Sequence, residues 1–163
     1  MNEQEKWKIV DRIQSSYYKE AYSYIKNTSK EQIEQDLNSI DSSYTILRLL
    51  SSFVYNDIKD VVDTFFEKII YFSLDGNPTQ IIWARKTICS IDRDFLDKNL
   101  EEVILKIINS EKESNYLDYL YRNIAILLSI LQYKDFLSRF LEKYCMSSNN
   151  LDIKEICDDY GFV

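Results

Sequence analysis

Residues 57–78 read DIKDVVDTFFEKIIYFSLDGNP and contain both a helix and its end. Apolar residues recur there at intervals of three and four, which is the period of an α-helix; they are Ile58, Val61, Val62, Phe65, Phe66, Ile69 and Ile70. The helix is predicted to run to about Phe72. A glycine suited to a helix end follows at Gly76, and Asn77-Pro78 suits the cap and first position of the next helix.

The same period continues towards the N-terminus. A first helix is predicted from about Gln4 to Lys26, with one apolar stripe made of Ile9, Ile13, Tyr17, Ala21 and Tyr24. Ser29 followed by Gln32 indicates a capping box that opens a short helix. That short helix is predicted to turn Ile33, Leu37 and Ile40 inward.

Three helical hairpins are predicted after residue 43. The first has helices at Tyr44–Tyr55 and 57–72 with a tight turn at Asn56-Asp57; the others span Thr79–Ile108, turning at Asp92, and Tyr116–Tyr144, turning near Asp135. Their starts lie about 35 and 37 residues apart, a period typical of stacked αα-hairpins. An irregular helical bundle is the alternative.

The fold class predicted from these patterns is all-α, as a short αα-hairpin (HEAT-like) solenoid or superhelical bundle. One domain is predicted over residues 1–163. It comprises N-terminal helices (1–43), three hairpins (44–146), and a short C-terminal helix with a tail (147–163), the helix being Leu151–Asp158. The break before the third hairpin is predicted at Lys112–Asn115.

The composition argues against catalysis. The chain has no histidine, so it lacks an imidazole base and the nucleophile pairs that need one, and two glycines cannot make a phosphate-binding loop. Adjacent acids such as Glu101 and Glu102 would point about 100° apart on a helix and would not converge. An enzyme would have to work with carboxylates, Tyr, Lys or Cys alone. We therefore predict no enzyme, no cofactor and no metal; Cys89, Cys145 and Cys157 are predicted to be reduced thiols.

The charge indicates the kind of partner. The net charge is −7, which disfavours nucleic acid and favours a basic protein. Acids outnumber bases by six to three in residues 41–76 and by four to one in residues 147–163. The 13 tyrosines add half-apolar contact surface, and Trp7 and Trp83 are either core residues or interface anchors. The predicted partner-binding residues are Asp57, Asp60, Asp63, Glu67, Asp97, Glu101, Tyr116, Tyr119, Asp158 and Asp159. A solvated outer face is the alternative for these acids.

The location is predicted from the ends and the apolar runs. No apolar run reaches the ~20 residues of a membrane span, and Met1–Lys8 carries no apolar signal core. These features predict a cytoplasmic protein that does not bind membranes.

The hairpins resemble HEAT-like or armadillo-like repeats, since an Asp stands at or near each turn. Arg93, after Asp92, resembles the charged pair found near HEAT turns, whereas the other hairpins carry Ile58 and Phe136 there. Small acidic helical proteins of this kind are similar to the bacterial immunity proteins of polymorphic or contact-dependent toxin systems. That resemblance implies a monomer that binds a basic toxin, a nuclease for example, in a 1:1 complex and covers its active site. A HEAT-like scaffold or adaptor joining host proteins is the alternative.

Overall fold

The computed structural model describes residues 2–111 and 115–161 of the chain. These residues form α-helices and one π-helical segment and contain no strand, so the all-α class is confirmed. Part of the predicted break (112–114) and the last two residues of the tail lie outside the described residues. The helices are α1 (Glu3–Asn27), α2 (Lys30–Asn38), α3 (Ser43–Leu50), α4 (Tyr55–Thr64), α5 (Phe66–Asp75), α6 (Pro78–Cys89), α7 (Arg93–Ser110), α8 (Leu117–Ile130), α9 (Lys134–Phe140) and α10 (Leu151–Tyr160), and the π-helical segment is Leu141–Met146.

The predicted cap at Asn77 and the predicted turn at Asp92 are confirmed. Asn77 accepts hydrogen bonds from two backbone N–H groups of α6, with Pro78 at the first position, and Asp92 caps α7. Gly76 is required for a different reason from the one expected. Its backbone is extended, and a Cβ there would lie 2.5 Å from the Phe72 carbonyl oxygen and 2.9 Å from the Gln80 Cβ. The glycine therefore permits close approach of α5 and α6.

The first hairpin differs from its prediction at the turn. Helix α3 ends at Leu50, and Asn56-Asp57 lies inside the first turn of α4. Ser51 and Ser52 both donate their hydroxyls to the Arg48 carbonyl oxygen, at 2.9 and 2.8 Å. These side-chain bonds compete with helix continuation, so the turn falls at residues 51–54.

The second helix of that hairpin is also broken, at Phe65. Thr64 donates its hydroxyl to the Asp60 carbonyl oxygen at 2.6 Å, a contact that bends helices. Phe65 and Phe66 at the break are both buried, and Phe66 packs edge-on against Phe95 at 5.1 Å between ring centroids.

The middle of the chain makes one continuous core. Helix α5 packs on α6, α3 on α6, α5 on α8, and α8 on α10. Three polar contacts join neighbouring helices: Lys106 on α7 contacts Glu67 on α5, Arg139 on α9 contacts Glu101 on α7, and Arg122 on α8 contacts Asp159 on α10. The residues in these contacts are 39, 38 and 37 positions apart in sequence.

Four residues predicted to lie inward or on the α1 stripe are exposed: Ile9, Ile13, Tyr17 and Ile40. Ile40 is 88% exposed, because α2 ends at Asn38 and Ser39 adopts an extended backbone that leaves the helical register. Ile13 on α1 is 64% exposed, although Ala21 and Ile25 at the other end of α1 are buried. The short helix otherwise follows its prediction, with Ile33 and Leu37 buried.

Candidate interaction surface

A row of ion pairs crosses α5, α7 and α9. Lys106 on α7 contacts Glu67 on α5 at 2.6 Å, and Arg139 on α9 contacts Glu101 on α7 at 2.6 Å. All four side chains are about half exposed, so these pairs add little to stability. Two of the predicted partner-binding acids therefore already have basic partners within the chain.

Asp97 belongs to a denser cluster at the end of α8. It pairs with Arg93 at 3.0 Å and accepts a hydrogen bond from the Tyr133 hydroxyl at 2.5 Å. The Arg93 guanidinium lies 3.7 Å from the centre of the Tyr133 ring and donates to the Leu131 carbonyl oxygen at 2.7 Å. Burial, and then the bond to Asp97, raise the pKa of Tyr133 well above its usual range. Arg93 thus joins the second hairpin to the third.

The acids of α4 divide into paired and unpaired ones. Asp63 pairs with Lys59 at 3.1 Å and accepts from the Tyr55 hydroxyl at 2.6 Å; burial, then this bond, raise the pKa of Tyr55. Asp57 and Asp60 are exposed. Their carboxylates make no ion pair within the described part of the chain. They are therefore the α4 acids available to an external cation.

The other predicted residues lie on a second group of helices. Tyr116 precedes α8 and is 73% exposed, and Tyr119 on α8 is 42% exposed. Asp159 on α10 pairs with Arg122 on α8 at 2.5 Å, and Asp158 is exposed. The ten predicted residues thus occupy two groups, one on α4, α5 and α7 and one on α8 and α10.

A groove of about 700 Å³ lies between α2, α5 and α7. Lys68 crosses it to Glu34 at 3.6 Å and to the Asn38 side chain at 2.5 Å, and Lys106 with Glu67 lies at its edge. The charges in the groove are therefore balanced. Its apolar lining residues are Leu37, Ile40, Phe65, Phe72 and Ile107.

Arg85 is a polar residue that the sequence did not single out. Its guanidinium donates to the Asn123 side-chain oxygen at 2.6 Å and to the Ser73 carbonyl oxygen at 3.2 Å. Asn123 is buried and donates in turn to the Tyr119 carbonyl oxygen at 3.1 Å. Burial lowers the pKa of Arg85. No sequence signal identifies this network, because its two main members stand 38 residues apart.

The two tryptophans have different environments. Trp83 packs against the core with the Lys86 ammonium 5.2 Å from its ring centre, whereas Trp7 is 71% exposed. Trp83 is therefore a packing residue, and Trp7 is a surface residue.

In residues 2–111 and 115–161, no group of three His, Cys, Asp or Glu side chains could hold a metal ion. In the same ranges, no helix has both the length and the apolar content needed to cross a membrane. The three cysteines are free thiols; Cys145 is buried, and burial raises its pKa to about 12.

The chain was compared with family models, with curated proteins and with solved structures, and none of the three comparisons returned a match.

Proposed function

We propose that the protein is a non-catalytic, protein-binding inhibitor, namely an immunity protein that neutralises a basic bacterial toxin domain, a nuclease for example. The observation that carries the proposal is that three of the eight acids predicted to bind the partner are exposed and make no ion pair within the described chain. Asp57 and Asp60 on α4 and Asp158 on α10 are exposed and make no ion pair in the described chain. Such carboxylates attract a basic surface and speed its association.

The internal ion pairs support the same function in another way. Glu67, Glu101 and Asp97 are paired with neighbouring basic residues, so they add little to the net charge of the docking surface. The same ion pairs hold their side chains in a fixed orientation for a partner. We propose that the partner contacts α4 first and extends towards the groove, whose apolar lining would receive apolar side chains of the toxin. The cytoplasm is the compartment in which such an inhibitor would act, with one toxin domain bound per chain.

The repeat architecture is part of the proposal. Contacts at separations of 36 to 39 residues are what a HEAT-like stack of hairpins would make between neighbouring units. The same regularity favours the second candidate function, a HEAT-like adaptor that joins two host proteins. An adaptor would bind two proteins at once, and the gene beside it would not encode a toxin.

The test uses the purified chain and the toxin domain encoded by the neighbouring upstream gene. We expect a salt-sensitive complex and rescue of a host that expresses the toxin. The double variant Asp57→Asn/Asp60→Asn should weaken binding about tenfold at low salt, with a smaller effect at high salt. The matched control is Asp94→Asn/Glu102→Gln, which removes the same charge from exposed positions of α7.

Three results would contradict the proposal. The first is a complex whose affinity does not depend on salt, and the second is equal weakening by the α4 variant and its control. The third is a chain that neither binds the toxin nor protects the host. Simultaneous binding of two host proteins, without rescue from the toxin, would favour the adaptor.

A further inference from the structure

The first two-thirds of α1 carries an apolar stripe that the rest of the described chain, which we call the body, leaves uncovered. Trp7 is 71% exposed, Ile13 64%, Val10 49% and Tyr17 39%. Further along the same helix, Ala21 and Ile25 are buried. We propose that this stripe binds the same stripe of a second copy of the chain, as an antiparallel helix pair, which we call the α1 seam.

The central line of the stripe has the spacing of a coiled coil, and Ile13 lies on one flank of that line. Trp7, Val10, Gln14, Tyr17 and Ala21 alternate at intervals of three and four, which places them on one narrow line along a helix. The body already covers this line from Ala21 onward. The free part, residues 3–20, is about 27 Å long at 1.5 Å per residue. A line of this width fits one further helix.

The charges beside the line are self-complementary in the antiparallel direction. Lys6, Ile13 and Glu20 are seven residues apart, so they share one flank of the line. When two copies cross with Ile13 beside Ile13, Lys6 of each copy faces Glu20 of the other. The pair then contains two oppositely charged contacts around an apolar centre.

The parallel direction is disfavoured by the position of the body. A parallel partner would carry its own residues 21–27 through the space in which the body packs on Ala21 and Ile25. In an antiparallel partner α1 begins at Glu3, near the level of Ala21, so the partner helix ends where the body begins. The two bodies then lie at opposite ends of the seam.

The available area is sufficient for a reversible dimer. The exposed fractions of Trp7, Val10, Ile13, Tyr17 and Tyr18 amount to about two and a half whole large side chains. At roughly 200 Å² for each, that is about 500 Å² per chain and about 1,000 Å² for the pair. This value is typical of weak protein contacts, so a dimer that dissociates on dilution is expected. A dimer of this kind differs from the monomer expected from the sequence.

The test is sedimentation equilibrium of the isolated full chain from about 5 to 500 µM, with no toxin present. We expect a monomer–dimer equilibrium. Lys6→Glu and Glu20→Lys alone should each weaken the dimer about tenfold, because each turns two attractive contacts into two repulsive ones. The double variant should restore the affinity to within about threefold. Lys8→Glu is the control, since Lys8 lies on the opposite side of α1.

Asp11 gives an independent check of direction. The antiparallel pair brings Asp11 of the two copies together on the other flank, so Asp11→Asn should tighten the dimer. Circular dichroism of each variant confirms that α1 is still formed. A chain that stays monomeric up to about 500 µM overturns the proposal, and another protein or a lipid surface would then cover the stripe. Failure of the Lys6→Glu/Glu20→Lys double variant to recover the dimer affinity also overturns it. Neither result bears on toxin binding.

Discussion

The two ends of α1 differ so strongly in burial that one substitution should destabilise the protein far more at one position than at the other. Ile25 is 1% exposed and belongs to the core, whereas Ile13, twelve residues earlier on the same helix, is 64% exposed. We compare Ile25→Ala with Ile13→Ala. Both changes remove the same atoms and have the same effect on helix propensity, so the difference between them measures packing alone.

The magnitudes follow from the burial. Removing a fully buried Ile side chain leaves a cavity and costs about 3 kcal/mol, within the usual range of about 2 to 5. Ile13 keeps only about a third of its surface in contact with the protein, so its truncation should cost less than about 0.8 kcal/mol. For a domain of this size, the first change lowers the melting temperature by about 6 to 12 °C and the second by about 3 °C or less.

The assay is urea unfolding followed by circular dichroism at about 1 µM protein, which is below the range of about 5 to 500 µM in which we expect the proposed α1 dimer to form. With a slope near 2 kcal/mol per molar, the midpoint should fall by about 1.5 M for Ile25→Ala, and the slope should not change. Equal losses at the two positions would show that α1 lies against the body along its whole length. Two negligible losses would show that α1 is not docked at all. Either result would refute the reasoning.

Three further predictions concern the core and the caps. Asn123→Ala should lower the free energy of unfolding by about 2 to 3 kcal/mol in the urea assay, because it leaves the half-buried Arg85 guanidinium without its main acceptor. A double-mutant cycle with Arg85→Ala should show a coupling energy above about 1 kcal/mol. Additive effects of the two substitutions would contradict the network. Iodoacetamide at pH 8 should label the exposed Cys89 in the folded protein but not the buried Cys145, since burial raises the pKa of Cys145 to about 12 and keeps its thiol protonated. Peptide mass spectrometry measures the labelling of each cysteine. Equally fast labelling of both would show that Cys145 is open to solvent. Asn77→Ala should lower the free energy of unfolding by about 1 kcal/mol in the same urea assay, because the Asn77 side chain accepts hydrogen bonds from two backbone N–H groups at 3.0 Å. No change in the free energy of unfolding would mean that water replaces the cap.

Helix positions were well predicted where a local signal existed. Asn77-Pro78 marked the start of α6, and Asp92 marked the turn before α7, because a cap or a turn depends on a few neighbouring residues. The turn of the first hairpin was misplaced because Asn56-Asp57 is typical of a turn but equally suits the first turn of a helix. The actual turn rests on serine-to-carbonyl bonds at residues 51–54, which the apolar period does not reveal.

The candidate surface was less predictable than the helices. The sequence identified Glu67 and Glu101 as members of an acidic row, and the structure shows both in ion pairs with Lys106 and Arg139. Those partners lie 38 or 39 residues away in sequence. A face of acids can be read from one helix, but whether each acid is neutralised depends on the neighbouring helix.

The amino-acid sequence by itself determined the all-α class and most helix boundaries, because period, caps and the scarcity of glycine and proline act within a few residues. It also determined the negative charge and the lack of imidazole chemistry. Only the tertiary structure decided which apolar residues are covered. Trp7, Ile13 and Ile25 lie on one amphipathic helix, yet the body reaches only Ile25. Burial depends on where other segments end, and no local pattern contains that information.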